Sequence, residues 1–160
     1  MLVASGSLLY PSEPYAPELF DLRKRVSFLD RITMLDSVEH ILPGAWVGTA
    51  SQVIRLKGTD VNTWEYDVVA DYGVIPGTLA YLDGELYGSD DEFKGDHAAM
   101  FSTTRGICIG RPDGTFVNMT EKRYAYPSMD TGAGIVRRHR GTAQYLVTLQ
   151  GNAVPGNVAS

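Results

Sequence analysis

Glycine-bearing turn pairs punctuate this chain at short intervals, and they limit what it can fold into more than any other feature. Pro43-Gly44, Asp83-Gly84, Asp113-Gly114 and Arg140-Gly141 each lie beside short runs in which apolar and polar residues alternate. Glycine accepts the positive φ that tight hairpin turns need, and alternation puts successive side chains on opposite faces of a strand. Residues 52–56 and 61–69 flank Lys57-Gly58-Thr59-Asp60, and 79–82 and 85–87 flank Asp83-Gly84. Residues 107–109 and 115–119 flank Pro112-Asp113-Gly114, and 135–139 and 144–149 flank Arg140-Gly141. Hairpins at this spacing predict an all-β fold, a small antiparallel barrel or sandwich. Helical periodicity is absent after residue 29.

The ends read differently. Pro11, Pro14 and Pro17 fix their own φ and push the preceding residues toward extended geometry, so 1–17 is expected to be an extended N-terminal arm. Leu8, Leu9, Tyr10 and Tyr15 make it more apolar than a solvated tail, and with Pro11, Pro14 and Pro17 they are the candidate partner-binding residues. The arm is expected to lie on a neighbouring subunit, the alternatives being its own domain or disorder. Leu19, Leu22 and Val26 share a helical stripe with acids early and bases late, which predicts one short helix over 18–26. A strand through 26–29 is the alternative. A single β-rich domain is expected over 18–150, and residues 151–160, small and turn-rich, read as an extended C-terminal tail. No Lys or Arg precedes the broken apolar start at Leu2-Val3-Ala4, so a secretory signal is not expected.

Charge and sulfur exclude several functions. The net charge of −5 argues against duplex nucleic acid as a partner, because that affinity rests on neutralising phosphates. No apolar run approaches the roughly 20 residues that span a bilayer, so no membrane partner is expected. With one cysteine, Cys108, neither a disulfide framework nor a thiolate zinc site is available. Cys108 between Ile107 and Ile109 reads as a buried structural thiol.

No candidate chemistry rises above an ordinary structural reading, so the expectation is no catalytic residues, no cofactor and no metal. His40, His97 and His139 are not at metal-ligand spacing. His97 stands out because Asp96 precedes it and the acidic run Asp90-Asp91-Glu92 lies close by. That run offers oxygen ligands for calcium but lacks the alternation of a helix–loop–helix site, and a solvated acidic loop is the simpler account. The chain has neither a Gly-x-Ser-x-Gly elbow nor a phosphate-cradling glycine loop. Asn118-Met119-Thr120 matches the glycosylation sequon by chance. Arg137-Arg138-His139-Arg140 is the one concentrated basic patch. On a strand Arg137 and His139 share a face and Arg138 takes the other. Such charges near a hairpin tip are expected to discourage edge pairing, the alternatives being contact with an acidic partner surface or with nucleic acid.

From Ile32 to Leu149 the cadence of turns is one found in phage proteins: Leu42-Pro43-Gly44-Ala45-Trp46-Val47, then Leu82-Asp83-Gly84-Glu85-Leu86, then Phe93-Lys94-Gly95-Asp96, and a closing unit from Gly134-Ile135-Val136 to Tyr145-Leu146-Val147. It resembles tailed-bacteriophage virion structural proteins, and among them the small β-rich decoration (cement) proteins of capsids. The resemblance implies a non-enzymatic protein on the capsid surface, made in the host cytoplasm. It further implies a homo-oligomer, a trimer by that analogy, that binds the major capsid protein or other virion proteins. Head–tail connector, tail and baseplate components are the alternatives within the class.

A second class is a carbohydrate-binding module or an enzyme on a virion. Trp46, Trp64, Tyr66, Tyr81 and Tyr87 are aromatics able to stack on sugar rings, and Asp90 or Asp96 with His97 are candidates for acid–base work. Burial of the tryptophans in the core would remove the stacking row.

Overall fold

The computed structural model describes residues 1–84, 96–121, 123 and 129–151. The described residues are almost entirely antiparallel β-structure, in four sheets that follow one another along the chain. The first holds β1 (Leu2–Ser5), β2 (Leu8–Pro11) and β3 (Val26–Ser27). The second is a meander of β4 (Ile32–Val38), β5 (Gly44–Thr49), β6 (Val53–Lys57) and β7 (Glu65–Ala70). A second meander follows, β8 (Ala80–Asp83), β9 (His97–Thr103), β10 (Gly106–Gly110) and β11 (Phe116–Asn118). A two-stranded ribbon, β12 (Thr131–His139) with β13 (Thr142–Gln150), ends the described chain. Among the described residues each sheet has two end strands and none closes as a barrel, and the sandwich expectation holds.

Three apolar clusters show that the sheets are layered. Leu9 and Phe28 pack on Ala45, Val47, Ile54 and Leu56, joining the first sheet to one face of the second. The other face presents Met34, Trp46 and Val53 to Ala99, Phe101 and Cys108 of the third sheet. The third sheet's far face, with Leu82, Ala98, Met100 and Ile109, receives Val136, Ala143 and Tyr145 from the ribbon. Each inner strand therefore divides its residues between two cores at period two, and β5, β6, β9 and β10 are buried almost throughout.

Trp46 fixes the central contact. Its indole is fully buried, its Nε1–H donates to the carbonyl of Arg111 at 3.1 Å, and Phe116 packs at 6.3 Å between ring centroids. The Arg55 guanidinium lies 5.3 Å from the indole centroid. Gly110 lies against the same ring, where an added Cβ would stand 2.8 Å from Cε2. Only glycine lets β10 come this close.

The structure corrects two expectations. Residues 1–17 are not an extended arm. β1 and β2 form a hairpin, Ser5 paired with Leu8 across Gly6-Ser7, and β2 also pairs with β3. Leu9 is fully buried in its own chain's core, so the apolar content of this segment serves intramolecular packing. The helix expected over 18–26 does not form either. Its stripe would have to bury Leu19 and Leu22, yet both are exposed, and a helix this short needs tertiary packing. Asp21 instead accepts hydrogen bonds from the backbone and guanidinium of Arg23, which hold its carboxyl down to about 2. Lys24 reaches Glu13, and the segment ends in β3, which covers the first two residues of the 26–29 strand alternative. A 3₁₀ turn, Val61–Thr63, is capped by Asp60. No helix among the described residues is long and apolar enough to cross a membrane. The tail from 152 onward and the 85–87 arm of one expected hairpin lie outside the described residues; β8 pairs with β9.

The ribbon docks through glycine and one hydroxyl. The amides of Gly132 and Gly134 donate to the carbonyls of Pro76 and Gly77, and Tyr145 Oη donates to Thr78 O at 2.6 Å. A Cβ on Gly134 would collide with that same Thr78 carbonyl. At the tip, Arg140 (φ 50°) and Gly141 (φ 77°) both take positive φ, the type I′ hairpin turn, so the hairpin expected around Arg140-Gly141 is present and longer than its sequence pattern.

Urea denaturation tests this layering. Trp46→Ala is expected to cost about 3–5 kcal/mol and Gly110→Ala about 1–3 kcal/mol. Leu9→Ala is expected to cost about 2–5 kcal/mol, where a free arm would cost nothing measurable.

Candidate functional site

A deep cleft lies where two sheets expose an edge on the same side of the stack. β4 ends the second sheet and β8 ends the third, and both line a cavity of about 920 Å³ that Met1 and Leu2 help to close. Alternation along β4 turns Asp36 inward, on the face shared with Trp46 and Arg55 across the sheet, and Ser37 the other way. On β9, His97 pairs in register with Asp83 of β8.

Two histidine–carboxylate pairs occupy this cleft and its rim. His97 Nε2 lies 3.0 Å from Asp36 Oδ1, and His40 Nδ1 lies 3.0 Å from Asp96 Oδ1. The Asp36 side chain is only 3% exposed, and its second oxygen, Oδ2, has no hydrogen-bond partner among the described residues. Tyr81 presents its ring edge-on to the His97 imidazole at 4.5 Å. The hydrogen bond to Asp36 raises the pKa of His97, against a smaller opposing effect of burial. Burial, with the nearby Asp36 charge, raises that of the Tyr81 hydroxyl.

Arg55 sits behind this site, fully buried, with its guanidinium donating to the carbonyls of Leu56 and Leu42. Desolvation lowers its pKa, and the charges of Asp36 and Asp113 pull it back up. The row Asp36–Trp46–Arg55 across three strands thus places a carboxylate and a guanidinium on either side of one indole.

The sequence singled out His97 but paired it with its neighbour Asp96. Adjacent strand residues point apart, and the structure gives His97 to Asp36, 61 positions away, and Asp96 to His40, 56 positions away. Only a knowledge of how the second sheet packs on the third would have found Asp36 or His40. Asp90, Asp91, Glu92 and Tyr87 lie outside the described residues, and among those described no cluster of three or more metal-ligating side chains forms. The aromatic row is not assembled: Trp46 is core, Trp64 is half-buried with Nε1 on Gly58 O, and Tyr66 and Tyr81 are exposed on separate sheets. Cys108 is buried as expected, and burial pushes its thiol up to about 11. Asn118 donates through its amide to Tyr72 Oη and Arg105 O.

The candidate partner-binding residues do not share one surface. Leu9 is core; Leu8, Tyr10 and Pro11 are half-buried in β2; Pro14, Tyr15 and Pro17 are exposed in the turns that follow. The exposed apolar surface the sequence did not flag is on the ribbon. Its outward face pairs Ile135 with Leu146, 59% and 43% exposed, between Ala133–Thr148 and Arg137–Gln144.

No family model matches this chain, and no curated protein or solved structure is significantly similar to it.

The pairing of His97 with Asp36 has a thermal signature. A histidine whose pKa rises on folding stabilises the fold fully below its unfolded value of about 6.5 and loses that contribution as pH climbs through the folded value. The melting temperature is therefore expected to fall between about pH 6 and pH 8 by an amount worth under about 1 kcal/mol, since the imidazole is partly in solvent. Asp36→Asn is expected to remove that slope, and equal slopes in the two proteins would contradict the pairing.

Proposed function

We propose that this chain is a non-enzymatic structural component of a tailed-phage virion, of the capsid decoration type, which self-associates and holds adjacent capsid subunits. The observation that carries the reading is the β12–β13 ribbon. Its strand β13, Thr-Ala-Gln-Tyr-Leu-Val-Thr-Leu-Gln, has nine residues with no charge and no proline, and among the described strands it pairs only with β12. Folded proteins normally blunt such an edge with charge, proline, a bulge or brevity. The other sheet ends here do so: β4 carries Asp36 and a register shift, β7 carries Glu65 and Asp67, and β1, β8 and β11 are four residues or shorter. An unprotected nine-residue edge beside the exposed Ile135–Leu146 pair suits strand addition, in which backbone hydrogen bonds supply contact and alternate side chains supply choice.

This moves the gripping surface from the N-terminal segment, which is packed on its own chain, to the ribbon. The buried thiol of Cys108, raised by desolvation, favours a structural role over nucleophilic catalysis by that residue. Connector, tail and baseplate positions remain the neighbouring readings.

Immuno-gold electron microscopy of particles made from the genome that encodes the chain is expected to label the capsid surface evenly. Label confined to the tail or baseplate would replace the decoration reading, and unlabelled particles would remove the virion role. Ile135→Lys with Leu146→Lys is expected to abolish binding to capsids at an unchanged melting temperature. Capsid binding that survives both substitutions would remove the ribbon as the gripping surface.

A further inference from the structure

We propose that the acidic cleft is a socket for the basic ribbon tip of a second copy of this chain, the two copies exchanging tips across a twofold axis. The inference rests on the self-association in the reading above and names the surfaces that carry it, with a twofold pair in place of the trimer that analogy implies.

The cleft asks for a cation. Asp36, Glu39, Asp83 and Asp96 line it with His97 and the Met1 ammonium, which is turned to Ser12 Oγ; Asp36 is paired with His97, Asp96 with His40 and Asp83 with Arg138, and Glu39 has no ion pair among the described residues. Asp36 adds to this, because its side chain is almost wholly buried and, with Oδ1 on His97, its Oδ2 is without a donor among the described residues. A carboxylate at the floor of a cleft with low-dielectric walls is poorly screened, and its field is focused outward along the opening. Among the described residues no three ligands gather for a metal ion, whereas a guanidinium matches carboxylates with its planar fork of donors.

The tip supplies that chemistry. Arg137 and His139 project from the outward face of β12, and Arg140 occupies the turn, all exposed. Neither Arg137 nor Arg140 makes an ion pair among the described residues, while Arg138, on the opposite face, reaches Asp83 at the rim of its own cleft at 3.5 Å. That bond shows tip and cleft to be neighbours on one surface. Two complementary patches side by side are what an isologous contact needs, since a twofold axis between them sets each tip against the other copy's cleft. In a chain of net charge −5, a cluster of three arginines at one exposed turn is otherwise out of keeping with the rest of the sequence.

Charge reversal on the full-length chain tests this, read by sedimentation equilibrium at about 50 mM and about 500 mM salt, where screening lengths differ severalfold. The wild-type protein is expected to approach twice 17.5 kDa at low salt and to dissociate as salt rises. Arg137→Glu with Arg140→Glu, and separately Glu39→Arg, are each expected to weaken pairing by about tenfold or more. All three positions are exposed, so the variants are expected to keep the wild-type circular dichroism and melting temperature. Glu39→Arg takes the net charge from −5 to −3, so a mere net-charge effect would strengthen pairing where the socket weakens it. A mixture of the two variants is expected to pair more tightly than either variant alone, because the unaltered tip of one meets the unaltered cleft of the other. Wild-type pairing that ignores both variants, or a mixture that pairs no more tightly than either variant alone, overturns the socket and leaves the self-association reading standing. A wild-type chain monomeric at every salt and concentration overturns both.

Discussion

The stack depends on Trp46. One indole on the central strand of the second sheet meets Phe116 and the bare backbone of Gly110 from the third, and carries the Arg55 guanidinium beside it. Buried arginine is costly unless its donors are satisfied and its charge is met by something polarisable. Here two carbonyls, an aromatic ring and the field of Asp36 share that role. The same row that seals the core thus holds a carboxylate beneath the cleft. Packing and electrostatics cannot be altered separately at these positions, because each residue of the row touches the next.

The order of the layers then determines what is left for contact with other molecules. The second and third sheets are covered on both faces and have no surface to offer except their edges. The first sheet is held in place by Leu9. The ribbon is different: one face docks through Gly132, Gly134 and Tyr145, and the other keeps its apolar pair in water. A two-stranded ribbon is marginal by itself, so its docking to the third sheet is what keeps the long uncharged edge in a defined position.

The all-β class and most hairpins were legible in the sequence because turn chemistry is local: Pro43-Gly44, Asp113-Gly114 and Arg140-Gly141 all mark turns beside strands in the structure. Alternation was a weaker guide inside β5, β6, β9 and β10, where both faces are buried and polarity no longer distinguishes them. The N-terminal segment misled because prolines at 11, 14 and 17 describe backbone geometry but not destination; Leu9 is drawn into a core that the sequence gives no means of locating. The stripe at Leu19, Leu22 and Val26 had helical spacing but no surface to bury it. The candidate site was least legible. His97 was visible as a residue, but Asp36 and His40 reach it and Asp96 only through the packing of the second sheet against the third, which no local pattern specifies.

Hydrogen exchange followed as a function of protein concentration separates ribbon from arm most directly. The account predicts that amides of Leu2–Pro11 are already protected in dilute protein, and that protection gained on concentrating falls on Thr142–Gln150 and the Arg140 turn. Free exchange at Leu2–Pro11 in dilute solution, with protection arriving there on association while the ribbon stays unchanged, would contradict it.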